Sequence, residues 1–282
     1  MQLTPNFTVT LYGSEDCIDL QYKLTQFNAG ELHPQLQQDY PPLGDLESIS
    51  IRPITYGPTF IVELALLVNA LRYEFHMSTP IDLDLPYVPY SRQDRVCSEG
   101  DAFGLKVFAD QLNALNLNRV VIFDSHSDVA PALINNCIHR ESKGLFILEY
   151  RFLNKYSHLI SPDAGAYKKV NSIASLKNLP VIPALKTRDA STGKLSNTIL
   201  VTDDVTEPSR FLIIDDICDG GYTFILLARE IKKIYPDIPL DLYISHGFFS
   251  KGIDPLIESG IHHIYTTNSV CTISHPNLTV LD

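Results

Sequence analysis

Phe211-Leu-Ile-Ile-Asp215-Asp216-Ile-Cys-Asp219-Gly220-Gly221-Tyr222-Thr223 is the stretch on which the fold turns. An apolar run of strand length meets paired aspartates, a glycine pair follows, and Thr223 opens a helical pattern that reaches Tyr235. Strand, glycine turn and helix in that order make one half of an α/β unit. Backbone amides at such a turn and at the start of a helix converge on an anion, so a phosphate is expected here. The carboxylates do not suit the phosphate itself. They suit the 2- and 3-hydroxyls of a ribose, which donate to them. Acidic residues are also common in the first turn of a helix. Two of them placed between four apolar residues and a Gly-Gly pair favour the ligand reading.

The same alternation extends outward from this stretch. Phe7, Val9, Leu11 and then Ile18, Leu20, Tyr22, Leu24 alternate as the strands of a hairpin turning at Gly13-Ser14. Pro58 precedes a helix predicted over Thr59–Tyr73, followed by a strand Ile81–Leu85, a helix Asp101–Leu117 and a strand Val120–Phe123. In the second half a strand ends at Leu159-Ile160, a helix covers Gly165–Leu176 and a strand covers Val181–Leu185. A polar loop is predicted over Lys186–Asn197, then strands Thr198–Val201, Phe211–Ile214 and Leu240–Ser245. The class is α/β, with mostly parallel sheets flanked by helices on both faces. A chain of 282 residues suits two domains, and the polar segment His139–Gly144 divides it into 1–140 and 141–282. Ligands in such sheets sit beyond the carboxyl ends of strands, here after Leu85, Phe123, Ile160, Leu185 and Ile214.

Composition narrows the function. The chain is 45% apolar and 20% charged, as globular proteins are. A net charge of −11 argues against nucleic-acid binding, although a metal or helix terminus can still hold a small anion. Five cysteines (Cys17, Cys97, Cys137, Cys218, Cys271) are odd in number and lack metal-ligand spacing, as in a reducing compartment. The amino-terminal sequence lacks a signal peptide pattern. The most apolar window, Phe60–Leu71, is too short for a membrane span and carries Glu63 and Asn69. The expectation is a soluble, cytoplasmic protein with no membrane or nucleic-acid partner.

Further motifs make the reading specific. Pro86-Tyr-Val-Pro-Tyr-Ser-Arg92-Gln93-Asp94-Arg95 is similar to the P-Y-x-x-Y-[AS]-R-Q-D-R of ribose-phosphate pyrophosphokinases, and Asp124-Ser-His126 resembles their D-x-H. Ser161-Pro-Asp163-Ala-Gly165 resembles S-P-D-x-G, Lys186-Thr-Arg188 resembles K-x-R, and Ser245-His-Gly-Phe-Phe-Ser250 resembles a late strand–loop segment. Phe27-Asn-Ala-Gly-Glu31 resembles F-x-D-G-E. The likeness covers most of residues 27–265 with its motifs in order. Plain phosphoribosyltransferases share only the ribose-phosphate loop, so the Arg-Gln-Asp-Arg segment decides between the two.

The resemblance implies two phosphoribosyltransferase-like domains, the first binding ATP and the second ribose phosphate, with the active site in the cleft between them. It implies attack by the anomeric hydroxyl of ribose 5-phosphate on the β-phosphorus of ATP, giving phosphoribosyl pyrophosphate (PRPP) and AMP. Lys186 and Arg188 would be cationic clamps, with His126 beside them as a catalytic group. His126 and Asp163 would hold Mg²⁺, His126 serving equally as a phosphate donor because Mg²⁺ favours oxygen ligands. Arg92, Gln93, Asp94 and Arg95 would line the ATP site, with Phe27 and Glu31 meeting the adenine of a neighbouring subunit in a homo-oligomer. Asp215, Asp216, Asp219, Gly220, Gly221, Tyr222 and Thr223 would hold the ribose phosphate.

Four departures stand out. The family's D-T-G-G-T is here Asp219-Gly-Gly-Tyr-Thr223, which removes a threonine hydroxyl and adds an aromatic ring. That change suits an acceptor whose 5-phosphate is esterified, such as ADP-ribose. Ala29 replaces the acidic residue of F-x-D-G-E. The segment after Arg95 is short and acidic, which argues against the allosteric control of regulated members. Strand-like sequence stands where the first domain has a helix, and no final amphipathic helix precedes Asp282, so a hexamer is not carried over. The rivals are an inactive regulatory relative and a transferase that consumes PRPP. Thr192-Gly-Lys194 is no P-loop, and His262-His263 reads as surface.

Overall fold

A computed structural model describes residues 1–14, 16–40, 45–148, 151–188, 195–200 and 205–281, the side chains of 147–148, 186–188 and 195–199 excepted. The chain divides into two compact units, Met1–Arg140 and Glu141–Asp282.

The first unit opens with β1 (Gln2–Leu3), β2 (Phe7–Gly13), β3 (Cys17–Leu20), β4 (Tyr22–Gln26), β5 (Leu32–Leu36) and β6 (Leu46–Pro53). The hairpin pattern of the sequence is present, with a difference. Its second arm breaks at Gln21, so β3 pairs with β2 while β4 joins a small sheet of order β1-β4-β5. Then come α1 (Phe60–Phe75), β7 (Ile81–Leu85), α2 (Gly104–Asn113), β8 (Arg119–Phe123), α3 (Val129–Leu133) and β9 (Cys137–Arg140). The main sheet runs β3-β2-β6-β7-β8-β9, parallel from β6 to β9. Its helical crossovers all step the same way, so right-handed connections put α1, α2 and α3 on one face. Burial along β7 alternates accordingly, with Ile81, Leu83 and Leu85 buried and Asp82 and Asp84 half-exposed. Helices on both faces, expected from the sequence, are therefore not found among the described residues of this unit.

Helix α2 is shorter than the predicted Asp101–Leu117. Asp101 Oδ2 accepts the Ser98 N–H at 2.9 Å in a separate turn, and left-handed Asn116 (φ 48°) closes the other end. Inside the unit, the buried Glu63 of α1 accepts from Tyr22 Oη (2.6 Å), Asn6 Nδ2 (2.5 Å) and Asn6 N–H (3.0 Å). This ties β4 to the main core. Burial and the facing carboxylate push the Tyr22 phenol well above its usual range.

The second unit contains α4 (Ser142–Leu148), β10 (His158–Ser161), α5 (Tyr167–Ala174), β11 (Val181–Arg188), β12 (Leu195–Leu200), β13 (Phe211–Cys218), α6 (Tyr222–Ile234), β14 (Leu240–Gly247), α7 (Asp254–Glu258), β15 (His263–Thr267) and β16 (Leu278–Leu281). The sheet order is β12-β11-β10-β13-β14-β15-β16, parallel except for β12. β14 is buried along its whole length. Leu212 and Ile214 pack on the α5 side with Val170 and Ile173, whereas Phe211 and Ile213 pack on the α6 side with Leu227 and Ile231. Here both faces are covered, as the near-continuous apolar strands demand.

Several strands outrun their prediction, β11 and β13 at the site. β11 continues through Arg188 and pairs with β12, matching Lys186 to Thr198 and Thr187 to Asn197. The described ends of the predicted polar loop, 186–188 and 195–197, are thus an antiparallel ribbon at the sheet edge, where polar strands are stable in water, and residues 189–194 lie outside the described residues. β13 likewise runs on through Asp215 and Asp216, because it pairs with β14 as far as Cys218 against Gly247.

Candidate functional site

In the second unit the connection from β10 leads to β11 on one side, while β13 lies on the other. The crevice beyond β10 and β13 is therefore a topological switch point, the place where open α/β sheets bind ligands. Asp163 stands just past β10, and Asp215 and Asp216 lie in the second half of β13. Burial first, then the Asp216 carboxylate and more weakly that of Asp163, push Asp215 well above the usual carboxylate range. Asp163 Oδ1 accepts the Ala166 N–H at 3.0 Å, and Ser161 Oγ donates to the Asp163 carbonyl at 2.7 Å, fixing the turn into α5.

Asp219 and Gly220 follow β13, exposed, and lead to Gly221 at φ 74°, where α6 begins. A Cβ on Gly221 would lie 3.0 Å from Leu256, so the position needs glycine twice over. The first N–H groups of α6 have no partners within the helix, and they face the end carrying the helix's positive pole. Tyr222 is 60% exposed on that first turn, and Thr223 is half-buried. The Cys218 thiol, buried beneath and flanked by Asp215 and Asp219, is pushed up to about 12. Lys186 and Arg188 lie at the end of β11, where a bulge falls between Thr187 and Arg188, and their side chains are outside the described residues.

In the first unit β7 runs into Pro86, and the loop to Arg95 is built on a buried frame of Pro86, Val88 and Ser91. Arg92, Gln93 and Arg95 are exposed, and Asp94 is half-buried. Gln93 N–H donates to Tyr90 C=O at 2.8 Å, and a Cβ on Gly104 would meet Gln93 Oε1 at 2.3 Å, so the loop is keyed into the start of α2. β8 delivers Asp124-Ser125-His126. Asp124 takes a left-handed backbone (φ 42°), its N–H donating to Arg140 C=O at 2.7 Å, and His126 emerges exposed. Strain of this kind at a strand end is common at ligand sites. Phe27 to Glu31 form the tip of the β4–β5 hairpin. Gly30 N–H donates to Phe27 C=O (2.8 Å), Phe27 N–H donates to Glu31 C=O (2.9 Å), and both side chains are exposed.

No family model matches the chain. Individual relatives do. The ribose-phosphate pyrophosphokinase of Mycoplasmopsis pulmonis is 28% identical over 214 residues, covering 74% of this chain. That of Thermococcus kodakarensis is 26% identical over 259 residues, covering 90% of this chain. The chain is thus similar to ribose-phosphate pyrophosphokinases over most of its length. It spans 65% of the Mycoplasmopsis relative and 87% of the Thermococcus one. The crystal structure of phosphoribosylpyrophosphate synthetase from Mycobacterium smegmatis superposes with a TM-score of 0.75 at 22% identity, covering 93% of this chain and 86% of that one, so the fold is shared.

Within each unit the pyrophosphokinase motifs fall at strand ends or at a hairpin tip. The loop from Pro86, the Asp124 turn and the hairpin tip belong to the first unit, and the Asp163 turn, the Asp215–Thr223 turn and β11 to the second. Among the described residues, no three His, Cys, Asp or Glu side chains form a metal-holding group. Sequence reasoning gave no role to Phe248–Ser250, whose N–H groups hold the turn after β13, or to Tyr56, whose Oη accepts the Tyr87 N–H at 3.2 Å. Neither contact has a local pattern, because each joins segments far apart in the chain.

Proposed function

We propose that this chain transfers the β,γ-diphosphoryl group of ATP to the anomeric hydroxyl of a ribose 5-phosphate acceptor, yielding PRPP and AMP. One pairing carries the reading: an exposed Arg-Gln-Asp-Arg loop at a strand end of one unit, and an aspartate–glycine–helix turn at the switch point of the other. The relatives' name agrees with it.

The acceptor phosphate rests on the N–H groups of Gly220 to Thr223 and the start of α6. Asp215 and Asp216 accept from the ribose 2- and 3-hydroxyls, with Asp219 flanking the turn. Arg92 and Arg95 neutralise and orient the ATP phosphates, with Gln93 and Asp94 completing that loop. The anomeric oxygen forms a bond to the β-phosphorus, the bond from that phosphorus to the α,β-bridging oxygen breaks, and AMP leaves while the hydroxyl proton passes to solvent or base. Lys186 and Arg188 meet the charge that develops, the dominant need in phosphoryl transfer. The Asp163 carboxylate is a hard oxygen donor of the kind Mg²⁺ takes, whereas the His126 imidazole fits a phosphate oxygen better. Asp163 would hold the ion, which when bound offsets polyphosphate charge. Phe27 and Glu31 on their exposed hairpin suit the adenine of a neighbouring subunit in a homo-oligomer.

The test is AMP release from ATP and Mg²⁺ with and without acceptor. Acceptor-dependent AMP is expected, and Lys186→Ala should lower turnover by roughly two to four powers of ten while ATP still binds. No AMP with any acceptor, despite intact ligand binding, would leave the inactive relative as the reading. A second acceptor is favoured by one observation. Exposed Tyr222 offers a stacking surface where the turn lacks the family threonine, which suits ADP-ribose. Faster AMP release with ADP-ribose than with ribose 5-phosphate would support that choice.

A further inference from the structure

No step of the proposed reaction touches Ser245-His-Gly-Phe-Phe-Ser250. We propose that its loop, Gly247–Ser250, is the element that shapes the acceptor-phosphate turn, with Phe249 as its key positioning residue. This rests on reading Asp219–Thr223 as the seat of the acceptor phosphate.

Three consecutive N–H groups leave this loop for the neighbouring turn. Those of Phe248 and Phe249 donate to Cys218 C=O at 2.8 and 3.2 Å, and that of Ser250 donates to Asp219 C=O at 3.1 Å. In a trans peptide the carbonyl and the following N–H point in opposite directions. Holding the Cys218 and Asp219 carbonyls toward the loop therefore turns the Asp219 and Gly220 N–H groups away from it, toward the ligand side of the turn. The loop selects which way those amides face.

To aim three N–H groups at two adjacent carbonyls the loop must curl. Phe249 supplies the curl with a left-handed backbone (φ 47°), a conformation an aromatic residue adopts at a cost. Its ring is buried (3% exposed) and lies across Gly247, where a Cβ would come within 2.2 Å of it. Glycine at 247 is the room the ring needs. The end of β14 beneath is fixed independently. His246 Nδ1 and Ser269 Oγ lie 2.8 Å apart, Thr267 Oγ1 donates to Ser245 C=O at 2.7 Å, and Gly247 N–H donates to Thr266 Oγ1 at 3.2 Å. A strained residue held between a fixed strand end and the turn it pins is a positioning device, and it touches no substrate itself.

The experiment uses the full chain. Phe249→Ala, Phe249→Leu, Gly247→Ala and the double variant Gly247→Ala/Phe249→Ala are compared with wild type. Calorimetry measures binding of ATP and, with Mg²⁺ present, of ribose 5-phosphate and ADP-ribose, and acceptor KM and kcat follow. Phe249→Ala is expected to weaken whichever acceptor the wild type binds, and to raise its KM, by at least about tenfold with the ATP values unchanged. Phe249→Leu should recover part of the loss. Gly247→Ala should lose at least as much as Phe249→Ala, because its methyl meets the Phe249 ring and also Thr266 Oγ1 at 2.8 Å, and the double variant should recover only the part due to the ring. Acceptor affinity within about twofold of wild type in folded Phe249→Leu and Phe249→Ala would overturn the proposal. Equal losses for ATP and acceptor would overturn it too, since that marks a merely structural residue. If Phe249→Ala does not fold, Phe249→Leu decides on the same measurements. Wild-type protein that binds ATP but neither acceptor would fell the reading of the turn itself, and the proposal with it.

Discussion

Gly220 and Gly221 are neighbours with opposite tolerances. A Cβ on Gly220 meets only ordinary contacts, Lys251 Cγ at 3.6 Å and Ser250 Oγ at 4.0 Å. Gly220→Thr should therefore fold normally and bring back the hydroxyl that the family's D-T-G-G-T carries. If that hydroxyl recognises a terminal phosphate, the ratio of turnover with ribose 5-phosphate to turnover with ADP-ribose should rise. Gly221→Ala should instead cost about 1–3 kcal/mol in a denaturant melt, from left-handed strain and the Leu256 contact. At this scale the sequence was legible where chemistry and conformation coincide. Asp215, Asp216 and the glycine pair carry both a ligand pattern and a turn pattern. It was illegible at Phe249, because left-handed backbone is not anticipated of an aromatic residue.

Elements show a different division. Several periodic strands and helices stood out, and β7 matches its prediction residue for residue, although the alternating central strand β6 was passed over. The ribbon of β11 and β12 did not, since its polar composition reads as loop until an antiparallel partner pairs it. β5, β9 and β16 were missed as well, because short edge strands draw their stability from neighbours and little from their own pattern. The link between α1 and β4 yields a prediction. Tyr22→Phe removes a hydroxyl donor from the buried Glu63 carboxylate and should cost about 1.5–3 kcal/mol in chemical denaturation. A change below about 0.5 kcal/mol would mean that the Asn6 donors suffice.

The whole molecule holds two separately cored units, and its thiols report on them. Cys17 and Cys97 are exposed, Cys137 and Cys271 are half-buried, and Cys218 is buried with its thiol pushed up to about 12. In native protein near pH 8, an alkylating reagent should modify Cys17 and Cys97 fast and leave Cys218 untouched until the second unit unfolds. Mass mapping of the labelled sites checks this, and rapid labelling of Cys218 would contradict the packing under the turn. One feature of the first unit reaches further than its size suggests. At Gln21 the chain hands over from the main sheet to the small one, so β4 keeps its phase only because Tyr22 enters the core on a set count of residues. Deleting one residue there would act as a frame error in three dimensions. Every side chain from Tyr22 to Gln26 would exchange inside for outside, and the ring at Phe27 would turn to the opposite face of the hairpin.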